Sequence, residues 1–142
     1  MNALNPRFAL EGNVLRDMAQ AAEAIADMIK RSKDAQAKFR EGTAQYTPQV
    51  NRIKALEVAQ ALIHERLGES DPLPFVQDQL EDAIVPLRSL LSKSEKALTK
   101  LKEGTWQYNM LEKNIAALHT ALPLVQDAIS YSLSDSGSKD TP

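Results

Sequence analysis

Apolar residues recur along this chain mostly at alternating steps of three and four, the spacing that lines one side of an α-helix. The first series runs Phe8, Leu15, Met18, Ala22, Ile25, Ile29 and Phe39, with Val14 and Met28 widening it. A second runs Val50, Ile53, Leu56, Ile63 and Leu67, with Ala55, Ala59 and Leu62 beside it and Gln60 as its polar member. The third is the most regular: Leu73, Val76, Leu80, Ala83, Leu87, Leu90, Ser94, Ala97 and Leu101. The fourth comprises Tyr108, Leu111, Ile115, Leu118, Leu122, Val125 and Ile129. Four amphipathic helices are predicted.

Capping residues and glycines set their expected limits. Asn5 and Pro6 offer a side-chain acceptor followed by a residue that needs no amide partner, so helix one is expected to open there. Gly42 is expected to stop it, which makes the helix about 30–35 residues or roughly 50 Å long. Thr47 and Pro48 repeat the opening signal for helix two, and Leu67 with Gly68 closes it. Asp71 and Pro72 open helix three, and Gly104 stops it. Asn109 with Glu112 forms a capping box for helix four, with Thr105 as an alternative start. Pro86 and Pro123 fall inside helices whose pattern resumes in phase, so kinks are expected rather than breaks. Beyond Leu133 no apolar residue is left to bury, and residues 134–142 are expected to be disordered.

One phrase occurs twice. Residues 38–46 read K-F-R-E-G-T-A-Q-Y, and residues 100–108 read K-L-K-E-G-T-W-Q-Y. Over positions 38–62 set against 100–124, eleven of twenty-five residues are identical. Self-similarity at a fixed offset points to one supersecondary unit used twice. The unit reads as a helical hairpin, spanning about residues 6–67 and again 72–133. Short loops between four such helices make an all-α, up-down-up-down four-helix bundle the expected fold, one domain over residues 1–133. An open pair of hairpins that closes only on dimerisation is the alternative.

Composition adds little and excludes more. Hydrophobic residues at 43% and charged residues at 25% are ordinary for a soluble domain. The absence of cysteine removes disulfides and thiolate chemistry and fits a reducing, cytoplasmic setting. The opening residues lack a basic stretch followed by an apolar run, and no stretch is apolar enough to cross a membrane.

The formal charge of −2 conceals a strong asymmetry. Residues 30–54 and 93–113, which surround the two repeated turns, carry twelve Lys/Arg against five Asp/Glu. The remainder carries five against fourteen. Phe39, Tyr46, Trp106 and Tyr108 belong to the basic part as well. Cations beside aromatic rings are the ingredients of a surface for an acidic partner or a polyanion. The candidate binding residues are Lys38, Arg40, Gln45, Tyr46, Lys54, Lys100, Lys102, Trp106, Gln107, Tyr108 and Lys113. A second reading needs no ligand: cations near the ends of helices one and three complement helix macrodipoles, and the tyrosines cover the core.

Catalytic chemistry has no foothold in the pattern. His64 and His119 are not related by the repeat, and each follows a glutamate by seven residues rather than the three of a bundle di-metal motif. Asp78, Glu81 and Asp82 read as a solvated face. Phosphate-binding glycine loops and nucleophile–base sets are not found. The expectation is a non-enzymatic interaction module without cofactor or metal, binding a protein partner or a second copy, with nucleic acid as the alternative.

Overall fold

Helix formation in this chain follows its apolar stripes, and helix ends follow the backbone bonds that replace them. The computed structural model describes residues 12–69 and 75–139, with side chains through residue 130. Four helices form: α1 (Gly12–Gln36), α2 (Tyr46–Arg66), α3 (Gln77–Leu98) and α4 (Trp106–Lys139). Among the described residues there is no strand. No helix there is long and apolar enough to cross a membrane. The openings expected at Asn5–Pro6 and Asp71–Pro72, with Phe8 and Leu73, lie outside the described residues.

The core is where the periodicity places it. Ile25, Leu56, Ile63, Leu87, Leu118 and Val125 are the largest fully buried side chains, at least one from each helix. Met18, Ala22, Leu80 and Ala83 extend the same cluster. Burying a side chain of this size stabilises the fold by about 1.5–3 kcal/mol. Three expected stripe positions are solvent-facing instead: Leu15, Val76 and Ala97. Val76 is not helical at all; it precedes α3, and its amide donates to Gln79 Oε1 at 3.0 Å.

Each helix packs on its chain neighbours, α1 also packs on α4, and α2 touches α4 across the middle. The ring therefore closes within one chain. Exposed polar contacts join its members: an ion pair of Lys33 with Glu57 at 3.5 Å, and His119 beside Glu95 at 3.8 Å. Such pairs contribute at most about 1 kcal/mol each. A buried bond carries more weight. Gln49 Nε2 donates to the Ser32 carbonyl at 2.9 Å, fixing the start of α2 against the end of α1.

The glycines correct the expected helix limits. Only Gly68 acts as expected: with φ +76° it follows the end of α2, and the amides of Gly68 and Glu69 bond the carbonyls of Glu65 and His64. Gly42 and Gly104 do not stop α1 and α3. Those helices end six residues earlier, at Gln36 and Leu98, where Lys38 and Phe39, and likewise Lys100 and Leu101, bond three back rather than four. Phe39 and Leu101, which follow in the turns, are half-buried.

The glycines instead turn the chain into the following helix, with φ of +89° and +88°. The threonine after each donates its hydroxyl to the carbonyl three residues back, Arg40 and Lys102 respectively, at 2.8 Å in both turns. No atom lies within 4 Å of a Cβ added at either glycine, so the cost of a side chain there is conformational alone. Gly42→Ala and Gly104→Ala should each lower stability by about 1–2 kcal/mol in urea denaturation. A neutral result would mean that the turn relaxes to negative φ without loss.

Two predicted openings also shift. Thr47 is not the cap of α2, which starts at Tyr46, so Pro48 is its third residue. There an amide would have no intrahelical acceptor, so proline is harmless. In α4 the alternative start is the one adopted: Thr105 Oγ1 accepts the Tyr108 amide at 3.3 Å, in place of the Asn109–Glu112 capping box. The helical backbone of α4 then continues to Lys139, into the stretch for which composition predicts disorder. Both α3 and α4 run through their internal prolines, Pro86 and Pro123.

Candidate interaction site

The two turns present their polar side chains to solvent because their backbones are occupied with their own bonds. Lys38 and Arg40 lie in the turn between α1 and α2; Lys100 and Lys102 lie in the turn between α3 and α4. All four are exposed, as are Lys54 on α2 and Lys113 on α4. Among the described residues none of these six cations has a carboxylate within 4.0 Å. Gln45 and Gln107 are exposed, and Gln45 makes no capping bond with its side chain.

The aromatic residues divide. Tyr46 and Tyr108 are half-buried, as covers of the core end would be. Partial burial, with the carboxylates of Glu112 and Glu103, pushes the Tyr108 phenol above its ordinary value and keeps it neutral. Trp106 behaves differently: 64% of its surface faces solvent. A tryptophan spends a large apolar area when left in water, and such residues are enriched where proteins meet partners.

Arg31 is the residue the sequence pattern did not single out. It lies in the penultimate turn of α1, and its guanidinium sits 5.5 Å from the centre of the Trp106 ring. A salt bridge to Asp27 at 2.9 Å holds it there. The contact joins the end of α1 to the first residue of α4 and fixes one face of the indole by cation–π attraction. Its only signal in the sequence is membership of the basic run Lys30, Arg31, Lys33.

Helix dipoles account for part of the charge. Lys33 and Lys96 occupy the last turns of α1 and α3, where cations are favoured. The same rule calls for carboxylates in the first turns of α2 and α4, and neither has one. The positive field around the turns thus goes beyond what helix ends require. His64 and His119 pair with Glu69 and Glu95, not with the glutamates seven residues before them. Among the described residues, no three His, Asp or Glu side chains gather as metal ligands would.

No protein-family model, curated protein or solved structure matches this chain.

Proposed function

We propose that this chain is a non-enzymatic helical interaction module whose basic, aromatic pole binds an acidic protein surface. The proposal includes the arrangement that creates the pole: two duplicated hairpins in up-down-up-down order, with both repeated turns at one end. The observation that carries it is Trp106, 64% exposed and braced by Arg31 at 5.5 Å. Arg31 is five residues from the end of α1, about 8 Å along its axis at the rise of an α-helix. The contact of a residue opening α4 with this depth of α1 supports a placement of the α1–α2 and α3–α4 turns near each other. The matched glycine angles and threonine bonds of the two turns support the duplication.

The surroundings favour protein over nucleic acid. Single-strand binding uses several aromatic platforms for successive bases, and here one ring is open while Tyr46 and Tyr108 are half-buried. The rest of the chain carries fourteen Asp/Glu against five Lys/Arg and would be repelled by a long polyanion. Trp106 is the chain's single tryptophan and reports on its own surface. Titration with polyglutamate should shift its emission at low salt, and the shift should vanish at high salt as screening sets in. A single-stranded oligonucleotide that shifts it more strongly at equal charge would favour the nucleic-acid reading. No response to either probe overturns the proposed function.

A further inference from the structure

The two most exposed large apolar side chains in the described residues are Trp106 and Val85, at 64% and 72%. Both fall where the repeated halves diverge. At the offset of 62, Trp106 stands opposite Ala44 and Val85 opposite Glu23. Core packing explains neither, since both face water, and the first half meets the same positions with a methyl group and a carboxylate. The second half has therefore acquired two apolar points that the hairpin itself does not use.

Val85 belongs to a groove. Helices α2 and α3 separate on their outer side into an open cleft of about 730 Å³, with Val58, Phe75, Ala83, Val85 and Pro86 supplying its apolar lining. Pro86 contributes doubly: its ring lines the cleft, and without an amide it leaves the Asp82 carbonyl without its helical partner. The charged lining residues are Glu57, Glu81, Asp82 and Lys54. Glu57 pairs with Lys33, and Glu81 accepts a bond from Gln77 Nε2 at 2.9 Å. Asp82 has no cation within 4.0 Å among the described residues. The groove thus combines an apolar floor with a net negative rim. Its counterpart in shape and sign is a large aromatic ring flanked by cations.

We infer that the α2–α3 groove receives the basic pole of a second copy of this chain, with Trp106 against Val85 and Phe75 and the lysines and arginines of the turns against Glu81 and Asp82. This rests on the binding role proposed for the pole and names its partner. Lys54, of the candidate cations, lines the groove itself; the turns and the groove are otherwise different surfaces, so the contact is head-to-tail and a pair of copies retains one free pole and one free groove. Association then grows into longer species rather than stopping at two. Opposite charges at the rim make it salt-sensitive.

The test uses the full chain and two variants that each lose one surface. Sedimentation velocity at low salt should give a mass that rises with concentration above the 15.7 kDa of one chain, without a plateau at twice that value. Trp106 emission should shift to the blue in parallel, and both changes should disappear at high salt. Trp106→Ala removes the pole, and Glu81→Lys with Asp82→Lys removes the rim. All three positions are exposed, so circular dichroism should show intact helix in both proteins. Each variant alone should remain monomeric, while their equimolar mixture should form a 1:1 dimer, one supplying the groove and the other the pole. Val85→Lys should reproduce the rim variant.

A chain that stays monomeric at all concentrations, or a mixture that fails to pair, overturns the inference. If such a chain still binds polyglutamate through Trp106, the pole binds some other acidic protein and the proposed function stands. If it binds neither, both fall. A dimer that persists in Trp106→Ala overturns the head-to-tail contact.

Discussion

Leu56→Ala and Leu118→Ala should each lower stability by about 2–5 kcal/mol, the range for emptying a packed leucine site. Both side chains are fully buried, one on α2 and one on α4, and they occupy equivalent positions of the repeat. Each substitution removes three carbons and leaves a cavity between helices held by the rest of the ring. A domain of this size is stable by about 5–15 kcal/mol in total, so either variant should show a large fall in its urea midpoint. Leu15→Ala, at an exposed position, serves as the control and should change stability by less than about 0.5 kcal/mol. A loss below about 1 kcal/mol at Leu56 or Leu118 would mean that neighbouring helices close over the gap.

Enlarging the core should be nearly as damaging. Ala59→Leu and Ala121→Leu are each expected to cost about 1–3 kcal/mol through overpacking. Ala55 and Ala59 on α2, and Ala117 and Ala121 on α4, are all buried, and these are the helices that meet across the ring. Alanine's single methyl lets two backbones approach, whereas leucine inserts three further carbons where no space remains. By contrast, the backbones of α1 and α3 nowhere approach within 8 Å of each other, Cα to Cα, among the described residues. Their stripes carry Met18, Ile25, Ile29, Leu80 and Leu87, which hold the opposite diagonal apart. Comparing the double variant with the sum of the two single losses tells whether the two sites share one space. Denaturant unfolding measures this directly, and tolerance of both leucines would show that the diagonal is loosely filled.

Several failures of the local signals share one cause. Gly42 and Gly104 look like helix stops, and Thr47 like a cap, because each has the residue chemistry of such a position. The chain leaves α1 and α3 earlier, and Phe39 and Leu101, which follow, are half-buried. A cap signal reports what the backbone permits at one residue. Burial elsewhere decides whether that permission is used. The candidate cations were legible as a group because charge is counted from composition. Arg31 was not, since its importance comes from a ring seventy-five positions away in the sequence.

The sequence by itself determined that this protein is all-α, that four helices form, and most of the apolar residues they bury, Leu15, Val76 and Ala97 being the exceptions. Those properties depend on residue spacing within one helix, and spacing is written in the chain. It also determined the pair of glycine–threonine turns, because positive φ and a hydroxyl three residues from its acceptor are local requirements. Tertiary structure alone decided that α2 meets α4 across the ring while α1 and α3 do not approach, that Arg31 faces Trp106, and that Val85 and Pro86 line a groove. Each depends on side-chain volumes and distances between elements far apart in the chain. Periodicity tells which side of a helix is buried and is silent on what it is buried against.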